Sequence, residues 1–407
     1  MGSLKRELPE IVAPAGNLEK LTFAAIYGAD AVYFGGSEHN LRVQSDNFTA
    51  DDIAGAVRFC HERGVKTVFL MNSFLHEREI PSAERYISGV RAIPFDAVMV
   101  SDPGMLALIR DAGMTCAVHL STQMSTLNHL AVRFWHSAGI SRIVLAREAT
   151  VDEIRLIRDN TDAEIEVFVH GALCIAYSGR CLLSRHLTGR DANQGDCAQA
   201  CRWRYSLVEE NRTGAPLDII EDRRGTEILS SKDLCLVGRI GEYVDAGVDA
   251  FKIEGRMKSV YYTANTTRIY RDAVRTAGTP EFEKRLPFYR EELDLVSHRP
   301  YTDDLFNEFD SMGFSGIPYI NRAMFLGYKT GSDPHGAPII KTFNPVYRGE
   351  TVEAIFPITD VIRDRCFIVK DIIDTEGHSV EMARPNSLYR FIFDEEMDDY
   401  AILRRRR

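Results

Sequence analysis

The sequence predicts an α/β chain: a (β/α)8 TIM-type barrel with an inserted cysteine-rich loop, followed by a small antiparallel β-barrel domain. Three observations predict it. Short apolar runs alternate with amphipathic stretches over the first 255 residues, at intervals of roughly 25 to 35 residues, the rhythm of parallel strands with helical crossovers. The phrases YGADAVYFG, RGVKTVFLM, SAGISRIVLA and AGVDAFKIEG each set a glycine between a helix and an apolar run. From Ala323 onward the texture changes to short alternating runs such as APIIKTF and CFIVKDII, separated by turn residues.

In order, the candidate strands are Glu10–Val12, Ala31–Phe34, Thr67–Met71, Ala97–Val100, Cys116–Leu120, Arg142–Leu145, Ile165–Val169, Glu227–Leu229 and Ala250–Ile253. Leu18–Tyr27 and Ala50–Arg63 read as crossover helices, each followed by a glycine at a C-cap position, Gly28 and Gly64. About eight such units suggest a closed barrel. An open doubly wound sheet is the alternative, but no glycine-rich dinucleotide fingerprint or P-loop is present. Ser259–Ala277 and Phe282–Val296 read as two further helices. Residues 1–300 are therefore assigned to the barrel, with the insertion at 171–226; 301–321, rich in Gly, Pro, Tyr and Asp, to a linker; and 322–407 to the small β-barrel. Arg404–Arg407 read as a solvated basic tail, and Cys60, Cys116 and Cys366 as packing residues.

Charge and composition narrow the classes of function. The chain carries a formal net charge of −10, so any nucleic-acid contact must use a local basic patch. No secretory signal is evident, and no apolar run is long enough to span a membrane. A cytoplasmic location is expected, and in a reducing compartment a tight cysteine cluster points to metal.

The residues Val167–Tyr205 concentrate the chemistry. They hold Cys174, Cys181, Cys197 and Cys201, separated by six, fifteen and three residues. Thiolates suit zinc or an iron–sulfur cluster. Only the Cys197–Cys201 spacing resembles a zinc knuckle, and the wider gaps favour a cubane iron–sulfur cluster. Zinc and buried or redox thiols are the alternatives, with Cys235 a substitute ligand or a small core residue.

In a barrel the active mouth lies at the C-terminal strand ends. Asn72, Ser101-Asp102, His119, Ser121-Thr122-Gln123, Arg147-Glu148, His170 and Glu254-Gly255-Arg256 all fall there, and the cysteine segment follows the seventh strand directly. His119, His170 and Glu254 are candidate acid–base residues; a hydrogen-bonded barrel histidine is the bland reading of the first two. Glu254 and Arg256 read either as a structural ion pair or, through Arg256, as an anion site. Arg42 and Gln123 are further mouth candidates. Arg180, Arg185, Arg202 and Arg204, with Trp203, make a set suited to gripping phosphates and stacking a base, or a plain charged rim. No HExxH or GxSxG motif supports hydrolysis.

The segment EVFVHGALCIAYSGRCLLS resembles the signature of the collagenase-like peptidase family U32, and APAG, SDPG, HLSTQ, SSKDLC and FKIEGRMKS extend the resemblance from Pro9 to Tyr270. The extension NQGDCAQACRWRY resembles the branch that carries out prephenate-dependent, oxygen-independent hydroxylation of the tRNA wobble uridine to 5-hydroxyuridine. That resemblance implies a 4Fe-4S cluster on Cys174, Cys181, Cys197 and Cys201, tRNA as substrate, and an acidic metabolite such as prephenate as co-reactant. Related branches hydroxylate a ribosomal RNA cytidine or work with a homologous partner protein in ubiquinone hydroxylation. The family's history adds collagenase-like proteolysis as an alternative.

Overall fold

Eight parallel strands close into a ring in the computed structural model, which describes residues 8–41, 47–174, 180–202, 220–222, 225–227, 232–303, 319–359 and 362–407. β1 (Glu10–Pro14), β2 (Ala31–Gly35), β3 (Lys66–Met71), β4 (Ala97–Val100), β5 (Ala117–Leu120), β6 (Arg142–Val144) and β7 (Glu164–Ala172) pair in chain order. β8 (Ile220–Asp222) and β9 (Gly225–Glu227) form a separate two-stranded sheet, and β10 (Asp233–Cys235) runs antiparallel to the end of β7. β11 (Ala250–Ile253) then closes the ring between β7 and β1. The barrel expected from the sequence is thus present, and the open sheet is excluded. Of the strand expected at Glu227–Leu229, only Glu227 lies among the described residues, where it ends β9; the eighth place in the ring belongs to β11.

The crossover helices are α1 (Leu18–Ile26), α2 (Ala50–His61), α3 (Ile80–Val90), α4 (Pro103–Asp111), α5 (His129–Ser137) and α6 (Val151–Arg158). Five of these six begin at a polar side chain that accepts from the backbone of the first turn: Asn17, Thr49, Asp102, Asn128 and Thr150. Thr49 and Thr150 complete capping boxes with Asp52 and Glu153. α7 (Leu183–Thr188) belongs to the insertion, α8 (Ile240–Asp245) precedes β11, and α9 (Val260–Thr276) with α10 (Pro280–Leu295) ends the barrel.

The floor of the ring is charged rather than aliphatic. Lys252 donates to Glu166 at 2.7 Å, and Arg142 pairs with Glu10 at 2.8 Å and Glu164 at 2.6 Å. Burial pushes the Lys252 ammonium pKa down, against the pull of Glu166.

β12 (Tyr301–Thr302) pairs with β10. β13 (Ala323–Ser332), β14 (Pro338–Thr342), β16 (Thr351–Ile355), β17 (Arg365–Ile373), β19 (Ser387–Phe393) and β20 (Ile402–Arg406) close a six-stranded antiparallel barrel, while β15 (Val346–Tyr347) and β18 (Met382–Ala383) pair beside it. Its core is apolar, built on Leu326, Ile340, Phe367, Ile372 and Phe391. The expected basic tail is here a strand. β20 sits between β13 and β16, and Arg404 is fully buried against Glu292, Glu353, Asp364 and Tyr261. Cys366, expected to pack, is exposed on β17. Among the described residues no helix is long and apolar enough to cross a membrane.

Candidate active site at the barrel mouth

A cavity of about 690 Å³ opens at the C-terminal ends of the strands, roofed by the insertion. Three contacts seat the roof. Gly195, at φ 88°, lies where a Cβ would come within 2.4 Å of the Asn40 carbonyl, so this approach to the loop after β2 needs glycine. Gln194 donates to Glu79 at 3.3 Å ahead of α3, and Arg180 donates from Nε to the Gln123 carbonyl at 2.9 Å. Within the roof, Asn193 grips Cys181 twice: its Oδ1 accepts from the Cys181 N–H at 3.2 Å and its Nδ2 donates to the Cys181 carbonyl at 3.0 Å. Ser184 accepts from Ala198 N–H at 2.9 Å, which ties α7 to the turn after Cys197.

Cys174, Cys181, Cys197 and Cys201 all line this cavity as thiols. Cys181 is buried, Cys197 and Cys201 are half-buried, and Cys174 is exposed. The Gln199 N–H points at the Cys197 sulfur at 3.4 Å. Cys235 does not line the cavity. It lies under Tyr270, whose hydroxyl is 3.8 Å from its sulfur, and burial pushes its thiol pKa up to about 11.

The cavity wall opposite the roof is mixed in charge. The Arg147 guanidinium lies 3.8 Å over the Phe168 ring and 3.5 Å from the Glu254 carboxylate. Arg256, buried, donates to Asn40 at 3.1 Å and to Asn47 at 2.7 Å. The expected Glu254–Arg256 ion pair is therefore replaced: Glu254 faces Arg147, and two asparagine carbonyls hold Arg256. Lys258 donates to the Ser297 carbonyl at 2.9 Å. Arg299 clasps Asp233 at 2.8 Å, and although burial opposes ionisation, Arg299 and Lys258 hold the Asp233 carboxyl below its usual range. Gln123 also lines the cavity, its Oε1 accepting from Ser101 at 2.8 Å.

Several candidates from the sequence lie elsewhere. His119 is buried inside the ring on β5 and does not line the cavity; burial, then Arg142 and Lys252, push its pKa well below the usual value. His170 faces the opposite way. Alternation from Glu166 and Phe168 would turn it inward, but the register shifts between β7 and β11 at this point. The imidazole packs instead on Tyr262 and Tyr270 of α9 and on Tyr301, with ring centroids 5.3 to 5.8 Å apart. Arg180 and Arg185 are exposed at the rim, Arg185 pairing with Asp191 at 3.2 Å. Arg42, Trp203 and Arg204, and the Arg202 side chain, lie outside the described residues. Leu41, Arg299 and Tyr319 reach the cavity without a signal in the sequence, because loops distant in the chain bring them there.

The chain is similar to several known proteins. The tRNA hydroxylation protein P1 of Bacillus subtilis is 36% identical over 411 residues, covering 98% of this chain and 94% of that protein. A 23S rRNA 5-hydroxycytidine synthase of Escherichia coli is 37% identical over 76% of this chain and 48% of its own length. A collagenase of Porphyromonas gingivalis is 36% identical over 72% of each chain. The profile of peptidase family U32 matches residues 16–312, and with relatives of this identity and coverage the chain belongs to that family.

Proposed function

We propose that this protein hydroxylates a pyrimidine base of RNA, and specifically the wobble uridine of tRNA to 5-hydroxyuridine, in a prephenate-dependent, oxygen-independent reaction that uses a 4Fe-4S cluster. The observation that carries the reading is that Cys174, Cys181, Cys197 and Cys201 all face one cavity with Gln123, Glu254 and Arg256. A cysteine set placed for structure alone has no need of a cavity large enough for a base and lined also by charged and carboxamide side chains.

The uneven spacing of the four cysteines, with gaps of six, fifteen and three residues, supports a polynuclear cluster over a zinc knuckle. A cluster on these cysteines would supply one-electron redox chemistry next to the bound base.

The chain's own residues do the rest. Asn193 and the Gln199 N–H fix the Cys181 backbone and the Cys197 sulfur. Arg147, Arg256 and Lys258 make the inner wall attractive to a carboxylate co-reactant. Arg180 and Arg185, exposed at the rim, offer positive charge to RNA phosphates. Glu254 is the carboxylate on the wall, placed to take a proton from the substrate.

The reading is supported by full-length likeness to a protein named for tRNA hydroxylation. Iron and sulfide analysis of anaerobically purified protein, with mass spectrometry of nucleosides from a deletion strain, tests it. Iron-bearing protein and loss of 5-hydroxyuridine are expected; colourless, iron-free protein and an unchanged nucleoside profile overturn it. Loss of 5-hydroxycytidine from ribosomal RNA would move the substrate to that base. Gelatin cleavage that survives cysteine-to-alanine changes would favour a peptidase.

A further inference from the structure

Tyr319 lines the cavity at its rim and is 38% exposed. A single exposed tyrosine needs no explanation, but this one is held at both ends. Its backbone is fixed through the next residue: the Ile320 N–H donates to the His298 carbonyl at 2.7 Å, and the His298 N–H returns a bond to the Ile320 carbonyl at 3.1 Å. Its ring is backed by Lys258, whose Nζ lies 4.8 Å from the ring centroid. Lys258 is itself clamped. Its Nζ donates to the Ser297 carbonyl at 2.9 Å, and its N–H closes a turn onto the Gly255 carbonyl at 2.8 Å. That turn follows Glu254 directly, so the ring packs against the loop that carries the wall carboxylate. Met257, 53% exposed, lines the cavity from the same turn.

A fixed, half-exposed aromatic ring with a cation against it is a surface on which a nucleobase stacks, and single-stranded RNA is held on such platforms. A base that enters the cavity must leave its stack, and its neighbour in the strand loses a partner as it goes. We propose that Tyr319 replaces that partner: its ring stacks on the base next to the one being modified. The assignment rests on the RNA reading above and adds to it a subsite for the flanking nucleotide, at the rim rather than inside the cavity.

Two RNA stem-loops test it, each with a loop uridine flanked by 2-aminopurine, on the 5′ side in one and on the 3′ side in the other. 2-Aminopurine is bright when unstacked and dark when stacked. Binding to the full-length wild-type protein should darken one of the two probes, and Tyr319→Phe should do the same. Tyr319→Leu and Tyr319→Ala should bind that probe about tenfold more weakly and leave it bright. The melting temperatures of all three variants should stay near that of wild type, because the ring is half-exposed. Darkening that persists in both Tyr319→Leu and Tyr319→Ala, or that neither probe shows although wild type binds them, overturns the inference and leaves the RNA reading standing. A loss shared by Tyr319→Phe does the same, since the hydroxyl and not the ring would then be the contact. A clear fall in melting temperature for both Tyr319→Leu and Tyr319→Ala also overturns it, because the ring would then serve the fold. Wild-type protein that binds neither stem-loop overturns the RNA reading and this inference together.

Discussion

Arg404 and Glu292 meet through two hydrogen bonds of 2.7 Å each, with both side chains fully removed from water. The pair joins the last strand of the small barrel to α10 of the large one, and Arg268 and Asp364 complete the network. Breaking one partner of a buried pair strands the other charge. Arg404→Met is therefore expected to cost roughly 3–5 kcal/mol in urea denaturation. In a double-mutant cycle with Glu292→Gln the two losses should not add, because they share one contact.

Acid should loosen the same junction. Burial opposes ionisation of Glu353, but Arg406 and Arg404 outweigh it and hold its pKa at about 2. The folded value lies below the ordinary 4.5, so the stabilisation is whole above pH 4.5 and drains away as pH falls toward 2. Glu292 is held low as well, by Arg404 and Arg268 against burial. Glu353→Gln should lower the melting temperature at pH 7 and flatten its decline across that acid range.

A second window belongs to His170. Burial drives its pKa from 6.5 to about 3. An unfolded chain takes up this proton below pH 6.5 and the folded one does not, so stability is whole above 6.5 and declines from there toward 3. The slope between pH 6.5 and 4.5 precedes the main carboxylate range. His170→Phe should flatten that slope, and because the ring packs on α9 outside the cavity, 5-hydroxyuridine formation should persist.

Retention of the proposed cluster should depend on Asn193 more than on Cys235. Asn193→Ala removes both hydrogen bonds that hold the Cys181 backbone, a loss of about 1 kcal/mol for each bond. Iron per chain after anaerobic gel filtration should fall well below wild type. Cys235→Ala should keep its iron, since that sulfur does not line the cavity.

Much of the large barrel was legible because a local pattern generates each unit. In YGADAVYFG and AGVDAFKIEG the helix end, the glycine and the strand all sit within one phrase. The mouth was legible for the same reason, since residues that follow strands must gather at one end of a ring. Pairings set by distance in the chain were not. Nothing near Arg404 announces Glu292, 112 residues earlier, so four arginines read as a tail. Nothing near Arg256 announces Asn40, 216 residues away. His170 failed in a different manner: alternation gives the face of a strand residue only while the register holds, and one bulge between β7 and β11 reverses it.

The chain leaves the ring at Ala172 and returns to it only at Ala250. Seven strands must therefore wait, unclosed, for the eighth to arrive, so ring closure should be a late event in folding. The same detour is thermodynamically tolerant, since doubling a loop's length costs only about 0.6 kcal/mol in closure entropy. Ahead of β10 this detour can be lengthened, shortened or rewritten with little penalty to the scaffold, so long as Gly195, Gln194 and Arg180 still seat the roof, whereas Leu234, Val237, Ile240 and Tyr243 beyond that point are buried in the core of the large barrel. In this architecture new chemistry can be acquired by editing one excursion of the chain while the ring beneath stays as it is.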